Sequence, residues 1–184
     1  MRELSSPRTE SVKIQIIFTY PTYWFRPFAW IIKKRLGTSY SHVAIVAEDP
    51  LTQVLEVHQS TAKNVGPMSL EFFRTKNRLI KQRTLELSET EFKKMMTFIR
   101  KNQGKGYSEA AAIASTFPLL RSLMIGKDGD HEFICSEFVV RALQSAGERL
   151  DFGHLRRAVD YVDPLVFERI LDTLCRVSDD RCLL

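Results

Sequence analysis

Phe133-Ile-Cys-Ser-Glu-Phe-Val139 opens the clearest helix in the second half of the chain, and Cys135 lies in its first turn. The apolar residues recur at helical spacing as far as Ala146, and Gly147 supplies the stop. Phe138, Ala142 and Ala146 share the face of Cys135, which points the sulfur toward the protein body rather than to solvent. The macrodipole at a helix start favours a thiolate, so this position predicts a lowered thiol pKa. The loop Gly126 to Asp130, rich in glycine and aspartate, is expected to leave an approach open. Cys175 and Cys182 lie in or beyond the last predicted helix and share none of these features, which suits a core or tail role.

A thiolate nucleophile needs an imidazole partner, and four histidines are available: His42, His58, His131 and His154. His42 begins the apolar strand Ser41-His-Val-Ala-Ile-Val46, where a buried polar ring is costly unless it is paired. Alternation puts His42, Ala44 and Val46 on one face, and the small alanine leaves room over it. His131 is placed to border a cleft, and His154 sits in a basic loop that suits solvation. On the neighbouring strand Val54, Glu56 and His58 share a face, so either polar residue is a candidate to orient the ring. Glu56 is the favoured one, since a carboxylate both fixes the tautomer and stabilises the imidazolium, and His58 is the alternative. No Cys/His pair has zinc-ligand spacing, so neither a metal nor another cofactor is expected.

Outward from these residues, the chain reads as strands in its first half and helices in its second. Val12 to Tyr20 is a strand ended by Pro21, and Trp24 to Ile32 a helix stopped at Gly37. Val43 to Ala47 and Gln53 to His58 form a hairpin about Glu48-Asp49-Pro50. A short helix at Ser69 to Thr75 leads to a strand at Leu79 to Leu87. Ser88-Glu-Thr-Glu91 is a capping box for a helix whose buried stripe is Phe92, Met95, Met96 and Ile99. Ala110 to Met124 is expected to be helical with a break at Pro118, and Asp163-Pro164 caps a last helix to Arg176. The reading is one α+β domain over 12–176, with a flexible arm at 1–11 and a tail at 177–184.

The bulk composition bounds the alternatives. The 184 residues suffice for one domain with a real core, and 44% hydrophobic with 27% charged residues is ordinary for a globular chain. The net charge of +5 eases encounter with anionic partners without selecting among them, and no nucleic-acid reader motif is present. Three cysteines imply no disulfide framework and suit a reducing compartment. The first residues lack the apolar run of a signal peptide, and no run reaches membrane-span length. These features predict a cytoplasmic product at synthesis, which reaches a virion or a cell wall by packaging or lysis.

The order strand–His, strand–Glu, helix–Cys resembles the circularly permuted NlpC-like papain-fold families. These include the YiiX-like hydrolases and are related to lecithin–retinol acyltransferase. Ser41 to Val46 resembles their histidine strand, Val54-Leu-Glu56 the strand bearing the third polar residue, and Phe133 to Val139 the nucleophile helix. Gly104-Lys-Gly-Tyr107 is similar to the Gly-Lys-Pro-Tyr segment that precedes that helix, with Gly106 in place of the proline. Asp163-Pro-Leu165 resembles the late Asp/Ser-Pro turn, and the opening strand with its aromatic helix is similar to short phage members. The resemblance implies an antiparallel sheet carrying His42 and Glu56, packed on the Cys135 helix. It implies a Cys-His-Glu hydrolase or acyltransferase without a cofactor. Its substrate would be a peptidoglycan stem peptide or a lipid-like acyl group; the alternative is a silent structural component of a phage particle. Tyr40, Tyr107 and His58 are further candidates for substrate or oxyanion contact or for the third catalytic position.

Overall fold

A computed structural model of the chain describes residues 11–22, 27–61, 64–106, 133–147, 162–177 and 182–183. The strands are β1 (Ser11–Pro21), β2 (His42–Glu48), β3 (Leu55–Ser60), β4 (Val65–Ser69), β5 (Asn77–Ser88) and β6 (Cys182–Leu183). The described helices are α1 (Pro27–Leu36), α2 (Leu70–Lys76), α3 (Glu89–Lys101), α4 (Cys135–Ala146) and α5 (Pro164–Val177). The architecture is α+β. One sheet in the order β4-β3-β2-β1-β5-β6 has every neighbouring pair antiparallel.

Helices cover both faces of this sheet, and alternation along the strands assigns the residues to each. Ile14, Ile16 and Phe18 of β1, Val43, Ile45 and Ala47 of β2, and Leu85 and Leu87 of β5 form the larger core with α3, α4 and α5. Ile17, Ala44, Val46 and Val57 point the other way and pack on Phe73 of α2. Because β2 is buried on both sides, it reads as a continuous apolar run, the pattern of a central strand.

The predicted caps form. Ser88 accepts from the Glu91 amide while the Glu91 carboxylate accepts from the Ser88 amide at 2.8 Å, and the stripe Phe92, Met95, Met96, Ile99 is buried. Asp163 caps α5 by accepting from the Val166 amide at 2.8 Å. Gly37, just past α1, has φ of 64°, where a side chain would be strained.

Three features depart from the sequence reading. The second strand of the hairpin starts at Leu55 rather than at Gln53. The Asp49 carboxylate accepts from the amides of Leu51 (2.8 Å) and Thr52 (3.2 Å), and Gln53 takes φ of 56°. Strand β4 was not anticipated: Val-Gly-Pro-Met-Ser carries no alternation, and Pro67 is tolerated because β4 is an edge strand. Cys182 and Leu183, expected in a tail, pair with Leu85 and Thr84 as β6. The predicted helix at 110–124, the loop at 126–130, Tyr107, His131 and His154 lie outside the described residues.

Candidate active site

Cys135 is the first residue of α4 and is 5% exposed, packed in the larger core. The backbone amides of Val43, of Ser136 and of Cys135 itself bear on its sulfur. The contact with Val43 seats the sulfur beside the backbone of the residue that follows His42. Neighbouring links hold α4 in this position. Ser60 of β3 donates its hydroxyl to the Phe133 carbonyl at 2.8 Å, and the Phe133 amide donates to Gly106 at 3.2 Å. The Ser136 hydroxyl also donates to the Val162 carbonyl, which ties the start of α4 to the Asp163-Pro164 turn. Glu137 completes the Cys-Ser-Glu triplet by pairing with Arg141 one turn on, at 2.8 Å.

The lowered thiol pKa expected from the helix start is corrected here. Burial pushes the Cys135 thiol up, and the polar groups of Val43, Ser136 and Cys135 around it pull it down by less. The physical reason is that a thiolate removed from water loses more solvation than a helix start and a few amides return. Deprotonation of Cys135 in this conformation therefore requires a base at the sulfur.

His42 starts β2 and is half-buried. The paired stretch of β2 and β3 runs from Glu48 opposite Leu55 to Ile45 opposite His58. Beyond it lie His42 on one strand and Gln59 on the other, and their side chains meet: His42 Nε2 lies 2.9 Å from Gln59 Oε1. The amide oxygen is an acceptor, so Nε2 carries a hydrogen in this contact. Gln59 is itself held, its amide nitrogen donating to Met68 Sδ at 3.7 Å, and Phe73 of α2 flanks the imidazole at 6.4 Å between ring centres.

Glu56, expected to orient His42, does not meet it. Glu56 pairs with Ala47 and His58 with Ile45, so both point to the α3 side of the sheet, whereas His42 shares the opposite side with Ala44, Val57 and Gln59. Glu56 is a half-buried carboxyl raised chiefly by burial and then by Asp49, with Arg100 opposing. His58 is 1% exposed, and neither ring nitrogen has a hydrogen-bond partner among the described residues. Burial lowers its pKa to about 4, against a raising influence of Asp49 and with Arg100 adding to the fall. Tyr40, a candidate for substrate contact, is instead a buried strut. Its ring packs on Phe18 at 5.0 Å and its hydroxyl donates to Glu168 of α5. Burial and that carboxylate raise the phenol far above its ordinary range.

The residue missed in the sequence is Gln59. Its only sequence signal is parity with Val57, the one apolar residue of Glu56 to Gln59. That parity is uninformative until the face of β2 that carries His42 is known. No known protein family and no curated protein matches the chain. Among the described residues no helix is long and apolar enough to cross a membrane.

The Cys135 sulfur lies against the backbone of β2 on the α3 side of the sheet, while the His42 ring at the start of the same strand projects to the other side, onto Gln59 and Phe73. A thiol, an imidazole and amides at a helix start are parts that acyl transfer through sulfur uses, but here thiol and ring stand on opposite sides of one strand.

Proposed function

We propose that the chain is a thiol-dependent hydrolase of permuted papain-like arrangement, with Cys135 as nucleophile, His42 as base and Gln59 as the group that orients the ring. The observation that carries this is the pair of contacts on β2: the Val43 amide on the Cys135 sulfur, and Gln59 on His42 Nε2 at 2.9 Å. The reaction requires the His42 ring, which rests on the Gln59 side of the sheet, to reach the sulfur around the start of β2; Nδ1 then takes the thiol proton as the sulfur attacks the substrate carbonyl carbon. The oxyanion is received by amides at the start of α4. Collapse expels the leaving amine or alcohol, which takes the proton from His42, and leaves a thioester on Cys135. Water, deprotonated by the same nitrogen, then releases the acid and restores the thiol. The substrate most in keeping with the resemblance is an amide of peptidoglycan stem peptides; an acyl ester is the alternative.

A second reading, a papain-like scaffold that no longer turns over and serves in a phage particle or other assembly, is favoured by the burial of the sulfur and its raised pKa. One set of measurements separates the two. Purified protein is offered peptidoglycan and, separately, acyl esters, and alkylation of each cysteine is mapped by mass against pH. The hydrolase reading expects turnover that Cys135→Ser abolishes with the fold intact, and alkylation of Cys135 that His42→Ala slows near neutral pH. Full activity in Cys135→Ser would remove the nucleophile assignment. Absent turnover, together with alkylation indifferent to His42, would leave the scaffold.

A further inference from the structure

We propose that the end of the sheet beside His42 docks on an anionic lipid surface through α1 and the α2–β5 junction. This goes beyond the hydrolase reading and does not depend on it. The first observation is a charge asymmetry. No acidic residue occurs in 11–47 or in 72–85, while Lys33, Lys34, Arg35, Arg74, Lys76 and Arg78 all do. The fold brings these two segments together. β1 and β5 are neighbours, the Thr22 amide donates to the Lys76 carbonyl at 3.0 Å, and Lys33 lies 4.7 Å over the Tyr20 ring. Farther along β5 the cations are answered, Lys81 by Glu168 and Arg83 by Asp172 of α5. At the end of the sheet Lys34, Arg74 and Arg78 are exposed and form no ion pair among the described residues.

The second observation is apolar. Trp30 is 54% exposed, Phe72 52% and Leu79 47%. The two rings are each set beside a cation: Lys34 lies 4.8 Å over the Trp30 ring and Lys76 5.4 Å over the Phe72 ring. Cations alone would suit any polyanion, and exposed apolar side chains alone would suit a protein partner. A surface that is anionic at its headgroups and apolar just beneath takes both, the cations by long-range attraction and tryptophan at the interface. His42 pairs with Thr19, next to Tyr20, so this surface lies at the sheet end from which the histidine projects.

The test is co-sedimentation with phosphatidylglycerol-containing vesicles and with pure phosphatidylcholine vesicles, with fluorescence of Trp30 read in a Trp24→Phe background. The expected result is binding to the anionic vesicles alone, weakened by salt, with a blue shift of the indole emission. Lys34→Glu combined with Arg74→Glu should weaken binding by about tenfold or more, given the usual contribution of a basic residue at such a surface. Trp30→Ser, in the chain that keeps Trp24, should weaken sedimentation with the anionic vesicles, and circular dichroism verifies that each variant folds. Cys135→Ser should bind as the parent does, which separates this proposal from the catalytic one. Equal binding to both vesicle types would overturn it, as would charge reversals without effect. So would tight binding to duplex DNA with no vesicle-induced blue shift, which would mark a polyanion site instead.

Discussion

Gln59 and Glu56 lie three positions apart on one strand and have opposite prospects, because the sheet sends them to opposite faces. A neutral amide orients the imidazole but adds little to the stability of the imidazolium. Gln59→Ala should therefore lower turnover by more than about tenfold, on the scale of lost orienting groups. Gln59→Glu should keep the ring orientation and raise the His42 pKa, since a nearby carboxylate favours the charged ring. The acid limb of the pH–rate profile, where His42 must be neutral to act as base, should then move to higher pH. Glu56→Gln should leave turnover close to the parent value. Where no substrate is yet in hand, the alkylation rate of Cys135 against pH gives the same comparison, and a large effect of Glu56→Gln without one of Gln59→Ala would reverse the assignment.

Among the elements, α3 is the most completely specified by its own sequence. The capping box satisfies free amides at its start, its buried stripe faces the sheet, and Arg100 in its last turn reaches Asp49 of the β2–β3 hairpin at 3.0 Å. Ser88→Ala should cost about 1 kcal/mol, the usual loss at such a cap. In urea unfolding this should appear as a lower midpoint at unchanged slope. A changed slope would mean that the cap also shapes the compactness of one of the end states. Glu91→Gln keeps an acceptor for the Ser88 amide and should lose only part of that stability. Helix α4 differs in that no side chain caps its start. Its position is set from outside, by Ser60 on Phe133 and by the Val43 amide on Cys135.

Across the whole molecule, His58 links stability to pH. The ring is buried on the α3 side of β3, opposite Ile45, and the charges that bear on it are Asp49 of the hairpin and Arg100 of α3. Its pKa is lowered to about 4 in the folded protein, while an unfolded histidine titrates at about 6.5. Above pH 6.5 the ring is neutral in both states and costs nothing. As pH falls from about 6.5 toward 4 the unfolded chain takes up the proton first, and stability declines by a few kcal/mol. Below 4 both states are protonated and this contribution levels off. His58→Leu should remove the decline and raise stability near pH 5, seen as a flatter dependence of Tm on pH between 4 and 6.5. The same slope in the variant would assign the acid sensitivity to other groups.

The sequence by itself determined the α+β class of the fold, the caps of α3 and α5, and the choice of Cys135 and His42 as the residues to watch. These follow from local patterns: apolar periodicity, a hydroxyl and carboxylate at fixed spacing, a cysteine at a helix start. Tertiary structure alone decided which side chain meets His42. β2 is apolar on both faces, so its sequence carries no sign of which side a neighbour must match. The hairpin from Asp49 to Val54 sets the β2–β3 pairing, and a shift of one residue there exchanges Glu56 and His58 for Gln59. The same holds for the thiol. The helix start is legible in the chain, but the burial that outweighs it comes from the sheet and helices packed around Cys135, elements far from it in sequence.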